Sequence, residues 1–138
     1  MKFSESVAKV VESETFALAG FYDRLFARYP EFQPYFSESS LKRQVVMLTM
    51  ALVGVKHYPI VHAPAHAYLQ VLGTKHRGRG VAKELYAKFI EVLVDEVAEF
   101  HADDWNESLA RQWTEALNLV VATMHEGYDD EQPVEKSG

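Results

Sequence analysis

The chain contains no cysteine. That absence removes any disulfide framework, thiol nucleophile or thiolate metal site, and leaves His, Asp, Glu and Met as the side chains that could hold a metal. Long hydrophobic runs are missing as well. The most apolar window, Val45 to Val55, spans 11 residues and includes Thr49 and Gly54, well short of the roughly 20 needed to cross a bilayer, so no membrane segment is expected. Positive charge is scarce: 14 Lys and Arg face 20 Asp and Glu, a formal net charge of −6. No basic run is long enough to form a stripe for phosphate backbones, and nucleic acid is not an expected partner. The start, MKFSESV, lacks the apolar stretch of a secretory signal, which points to a cytoplasmic protein. No Gly-x-Ser-x-Gly elbow, phosphate-binding glycine loop or His-Glu-x-x-His motif occurs. What remains is a chain of 138 residues, 48% hydrophobic and 25% charged, enough to bury one continuous core as a single globular domain.

Apolar residues recur at helical spacing almost from end to end, and no stretch shows the strict alternation and β-branched enrichment of strands. The fold is therefore expected to be nearly all helix. Ser4 is placed to cap a first helix carrying Val7, Val10 and Val11, and a second stripe runs Leu18, Phe21, Tyr22, Leu25, Phe26, Tyr29 until Pro30 stops it. Pro30 to Ser40 reads as a tight corner followed by a polar loop. Leu41, Val45, Leu48, Leu52 and Val55 form the next stripe, interrupted by His57 and Pro59. Pro64 suits the first turn of another helix, on which Ala65, Leu69, Leu72 and His76 share one face before Gly78 and Gly80 end it. A long helix from about Lys83 to Phe100 is apolar on several sides and should lie centrally. Leu109, Trp113, Ala116, Leu117, Val120, Val121 and Met124 define the last helix. The globular part is expected to span 1–128, with the acidic residues 129–138 as a flexible tail.

His76 is the most informative single residue, because it continues the apolar stripe of Leu69 and Leu72 and so faces inward. An inward imidazole needs a partner, and a carbonyl or carboxylate would satisfy it as a core residue. Its neighbours suggest more: Lys75-His76-Arg77-Gly78-Arg79-Gly80-Val81 runs on to Tyr86, a histidine followed by a glycine-released chain and a helix bearing an aromatic hydroxyl. Tyr22, flanked by Phe21 and Phe26, buries a hydroxyl that must find a backbone acceptor or a ligand. Gln44 sets an amide on or beside the face of Leu41 and Leu48. Phe36 is a large aromatic in a loop, where a core plug would also explain it. His57, His62 and His66 cluster, but Pro64 breaks the helix that would pair them as metal ligands. None of the six histidines has a glutamate three positions before it, which disfavours a di-iron bundle.

Phe21-Tyr22-Asp23-Arg24-Leu25-Phe26, then Pro30-Glu31-Phe32 and Phe36, resembles the second helix and corner of bacterial single-domain globins and of the globin part of flavohaemoglobins. Gln44-Val45-Val46-Met47-Leu48 resembles their distal Gln and Leu, and Lys75-His76 through Gly80-Val81 to Tyr86 resembles their proximal segment. Trp113 with Ala116 falls where the last helix carries its aromatic anchor, so the resemblance covers about Ser4 to Met124. It implies an all-α globin fold, a three-over-three helical sandwich around a haem pocket holding haem b. His76 would then be the proximal ligand of a pentacoordinate iron, with Phe36 against the porphyrin face and Tyr22 and Gln44 on the distal side. Leu48 would form the distal apolar wall, Val81 would touch the haem, Tyr86 would stand near His76, and Leu72, Lys75 and Phe89 would complete the cofactor-binding set. Reversible O2 binding, as in oxygen transport, follows, with NO and CO as other ligands, in a monomer or homodimer.

Two alternatives stand beside that expectation. One is NO dioxygenation or gas sensing with a separate reductase or partner, since the sequence carries no flavin or nicotinamide domain. The other is a helical interaction domain without haem, in which His76, Tyr22 and Gln44 are satisfied core groups. Flavohaemoglobins also place a glutamate in the last helix, bonded to the proximal His and Tyr. Spacing from Trp113 puts Asp130 there, with Glu126 one turn earlier as the other candidate. Met47, or a histidine from the loop around His57, would reach the iron if the distal helix shifted.

Overall fold

A computed structural model describes residues 1–13, 18–36, 48–54, 63–78 and 80–137, with side chains throughout except at 18–19, 63–65 and 128–137. Helix α1 (Phe3–Glu12) starts one residue before the expected cap: the Lys2 N–H donates to Glu5 Oε1 at 3.3 Å, and Ser4 lies inside the first turn. A carboxylate at the third position of the helix, Glu5, satisfies the terminus, leaving the serine no capping task. Helix α2 (Leu18–Arg28) stops ahead of Pro30, and a 3-10 corner (Pro30–Tyr35) follows. Residues 48–54 are the described part of α3. Helices α4 (Ala63–Gly78), α5 (Leu85–His101) and α6 (Glu107–Ser137) complete the described chain, which contains no strand.

Helix α5 is central, as its all-round apolar pattern requires: Val92, Leu93 and Val97 are fully buried, and α1, α2 and α6 all pack on it. It begins two residues later than expected, because the Ala82 and Lys83 carbonyls accept the Leu85 and Tyr86 N–H groups in a separate turn. Helix α6 starts at an asparagine cap, with the Leu109 N–H donating to Asn106 Oδ1 at 2.9 Å. It then runs on to Ser137, into the acidic segment from Asp129 that the sequence reading sets apart as a tail. Glu and Lys are good helix formers, and an acidic composition by itself does not end a helix.

Two polar devices set the helices against one another. Trp113 is fully buried, meets Phe3 edge-on at 5.4 Å, and donates its indole N–H to Ser6 Oγ at 2.8 Å. Ser6 Oγ is 2.7 Å from His101 Nε2, so the serine hydroxyl, having accepted from an indole that can only donate, passes its own proton toward the imidazole. Burial, reinforced by Lys9, holds the His101 pKa below its ordinary value against the opposing pull of Asp104 and Ser6, which keeps the ring neutral and able to accept. On the outside, Arg28 Nη1 reaches Glu91 at 3.0 Å and Asp95 at 2.7 Å, Arg24 pairs with Glu96 and Glu99, and Lys88 bonds Glu31 at 2.6 Å. Each exposed pair contributes little alone, but together they fix the angle at which α2 and the corner lie on α5.

Candidate functional site

The inward stripe of α2 places Phe21, Tyr22 and Leu25 in the core. Tyr22 is only 2% exposed, its ring 4.8 Å from Phe21 and 5.3 Å from Phe36. Among the described residues its hydroxyl has no hydrogen-bond partner. Burial pushes its pKa far above the ordinary tyrosine range, so the phenol keeps its proton and stands as a donor. The two prolines of the corner turn the chain sharply enough to bring Phe32, Tyr35 and Phe36 to the same place, and the Tyr35 hydroxyl spans to the Gly80 carbonyl at 3.4 Å. Gly80 itself has φ +80, a left-handed conformation that glycine adopts without cost and that turns the chain off α4.

His76 sits in the last turn of α4, half-buried, with Nδ1 2.8 Å from the Leu72 carbonyl. A carbonyl can only accept, so Nδ1 carries the ring proton and Nε2 carries the lone pair. The position of α4 is set by a close crossing with α6. A Cβ on Gly73 would lie 1.9 Å from the Met124 carbonyl oxygen, and one on Gly127 would lie 2.1 Å from that of Gln70. The Thr74 hydroxyl bridges the seam, 3.0 Å from the Gly127 carbonyl and 3.2 Å from that of Gln70. Any side chain at Gly73 must therefore push α4, and His76 with it, off α6. Gly73→Ala is expected to cost about 1–3 kcal/mol or more, read as a lower urea midpoint at unchanged slope. Gly78→Ala, where nothing lies within 4 Å, should leave the midpoint nearly unmoved.

Among the described residues these elements line a cavity of about 140 Å³, partly open to solvent and predominantly apolar. Of the residues singled out in the sequence, Tyr22, Phe36, Leu48, Leu72, His76, Val81, Tyr86 and Phe89 all line it. Lys75 does not: it is exposed and outside the lining, because one residue along a helix is a turn of about 100° away from its neighbour's face. Gln44, Met47, His57 and His62 lie outside the described residues, as does the Asp130 side chain. Glu126 points elsewhere, accepting from Gln70 Nε2 at 2.8 Å and lying 3.4 Å from His66 Nε2. The residue of α6 that does stand against Tyr86 is His125, ring to ring at 4.7 Å.

The sequence reading missed the far wall, where α6 contributes Leu117, Val120, Val121 and Met124, and it missed Phe32, Tyr35, Ala51, Leu52, Leu85 and Ile90. Their signal is the apolar stripe itself, which is the same for a core residue and a cavity residue. Chemically the site pairs one imidazole lone pair with one buried phenol donor in an apolar surround. His76 is the only imidazole in the lining, and no group of three or more metal-binding side chains occurs among the described residues. The described side chains alone do not chelate a bare ion. The site suits a large, flat, apolar group that brings a metal with most of its ligands already in place. The family model for globins matches residues 19–124, a span that contains every residue lining the cavity. No curated protein matches the chain.

Proposed function

The chain belongs to the globin family, and on that footing we propose that its cavity holds one haem b and reversibly binds O2, with NO and CO as competing ligands. The helices described above are the all-α globin fold, as the sequence resemblance implies, and globins as a family hold haem and bind small gases such as O2. Haem, when bound, would supply an iron able to take one protein nitrogen and a diatomic ligand.

The observation that carries the reading is the state of His76. It is the one imidazole among the described residues of the lining, and its Nδ1 is tied to the Leu72 carbonyl, which fixes the tautomer that offers Nε2 as an axial ligand. Leu72, Val81, Tyr86, Phe89 and, from the corner, Phe36 line the cavity and would supply apolar surface for the macrocycle. Tyr22 stays protonated because it is buried, and so donates to the partial negative charge that bound O2 carries. The apolar walls keep water from competing for that bond. A phenol donor of this kind slows O2 release, which gives a second reading, NO dioxygenation or gas sensing with a separate reductase or partner, its footing.

The test is to load the full chain with haem and record absorption in ferric, ferrous and CO-bound forms. A ferrous spectrum of five-coordinate type that converts fully on CO supports the proposal. Failure to take up haem stoichiometrically, or a ferrous form closed to CO, rejects it. Mixing the oxygenated protein with NO then separates the two readings: repeated NO consumption with an added electron donor marks a dioxygenase, and a single stoichiometric reaction marks a binder or sensor.

A further inference from the structure

His101 is a buried titratable group that takes no part in the cavity. It ends α5 and is only 6% exposed, yet it is not among the lining residues. Its Nε2 lies 2.7 Å from Ser6 Oγ, which accepts the Trp113 indole N–H at 2.8 Å. Ser6 and Trp113 are fully buried, and the Trp105 ring stacks on the imidazole, centroids 6.0 Å apart at 10°. Both of the chain's tryptophans thus bear on one point, where α1, α5 and α6 join.

The joint depends on a neutral imidazole. The indole can only donate, so the serine oxygen receives its proton and sends its own to Nε2, which needs a lone pair there. A protonated ring accepts nothing at either nitrogen. Ser6 Oγ would then face two donors, and a positive charge would stand in a buried, aromatic surround. Burial disfavours that charge, and so does Lys9 of α1. Asp104 of the 3-10 turn Ala102–Asp104, the Ser6 backbone and the stacked face of Trp105 favour it. α6 meets the cluster through the uncharged Trp113. The balance holds the His101 pKa below its ordinary value.

α1 is also the element that can leave. Its buried residues are Phe3, Ser6, Val7 and Val10, it packs on α5 and α6, and none of its residues lines the cavity. A helix of ten residues is too short to persist alone in water. It stays helical only while docked.

We propose that the joint of Ser6, His101 and Trp113 is an acid-sensitive latch: protonation of His101 releases α1 from α5 and α6 while the helices around the cavity stay in place. The sign follows from linkage. A ring that is harder to protonate when α1 is docked favours docking above the ordinary histidine pKa of about 6.5, and that advantage is lost as pH falls below it. One proton allows the released population to grow by at most about tenfold per pH unit.

The test is hydrogen exchange read by mass spectrometry on the full chain between about pH 7.5 and 5, with labelling times scaled to the intrinsic exchange rate at each pH. Below about pH 6.5, exchange from peptides covering Phe3–Glu12 should speed by up to about tenfold per pH unit, while peptides of α4 and α5 keep their protection. His101→Gln has an amide oxygen that accepts from Ser6 and does not titrate; it should leave α1 protected at neutral pH and remove the pH dependence. Lys9→Gln, a substitution at an exposed position, relieves the repulsion of the protonated ring and should shrink the loss of protection. It decides the matter if His101→Gln does not fold. Exchange from α1 that is flat with pH in the wild type overturns the inference, as does a pH dependence that survives His101→Gln or a Lys9→Gln variant that loses as much protection as wild type. Loss of protection in all helices together overturns it too, since that is global acid unfolding and not release of α1. Each of these results leaves the reading of His76 intact.

Discussion

Replacing His76 by alanine should strip the chain of most of its haem, or leave haem that regains its axial ligand only when imidazole is added. The size of the effect follows from how little else the cavity offers. Apart from His76 the described residues of its lining are aliphatic and aromatic, with three tyrosine hydroxyls and the Met124 thioether, and none of these replaces an imidazole nitrogen as the proximal donor of a globin. The Nδ1 bond to the Leu72 carbonyl means that the wild-type ring arrives with its tautomer already chosen, so on the proposed reading the mutation removes both the ligand and its preorganisation. Loss of a partner that merely orients a ligand typically costs about 10–100-fold in metal affinity, and loss of the ligand itself should exceed that. Haem retention after passage over apomyoglobin, with ferrous and ferrous-CO spectra before and after adding imidazole, measures it. A variant with a full haem complement and an unchanged ferrous-CO spectrum would remove His76 from the role. Substituting His66, which lies outside the lining and 3.4 Å from Glu126 of α6, should change none of these readings.

How much of this site could be read from the sequence depends on which physical signal each residue leaves. Tyr22 and His76 were legible because each extends an apolar stripe at three- and four-residue steps, and a polar group on such a stripe must face inward. The corner was legible from Pro30 and Pro34, which leave the chain few conformations. Lys75 lies outside the lining, because a helix turns by about 100° from one residue to the next and adjacency to His76 does not give a shared face. The α6 wall was hidden for a different reason: Leu117, Val120, Val121 and Met124 carry the pattern that any core helix carries, and a cavity differs from a core only in what lies opposite. Gly73 and Gly127 left no pattern at all. One glycine inside a helix reads as a weakness, and its use appears only when the second backbone is seen nearly touching it. The partner of Tyr86 was sought among Glu126 and Asp130, since counting residues from Trp113 gives position along the helix but not its rotation about its own axis. That rotation is set by the glycine crossing, and it turns His125 toward Tyr86 and Glu126 toward Gln70.

Tyr22→Phe should speed O2 release by about ten- to a hundredfold while changing CO release far less. The phenol is one of the few polar groups turned toward the cavity. Its ring is pinned by Phe21 and Phe36, so its hydroxyl gives up little freedom on forming a bond. Because burial keeps the proton on the oxygen, the group is a donor across the whole physiological pH range, and the effect should not fade between about pH 6 and 9. A hydrogen bond to a partly charged acceptor in a dry pocket contributes about 1.5–3 kcal/mol, which converts to that ten- to hundredfold range. Bound CO carries much less charge on its outer atom and gains correspondingly less. Phenylalanine keeps the ring and its contacts, so the substitution isolates the hydroxyl from the packing. Gln44→Leu should act in the same direction but more weakly, because an amide on three rotatable bonds must be ordered before it can donate. Stopped-flow displacement of O2 and of CO from the two variants gives the four rates needed. Equal acceleration of both gases in Tyr22→Phe would mean that the ring shapes access and that its hydroxyl bonds nothing. A larger effect from Gln44→Leu would move the principal donor from α2 to the distal segment.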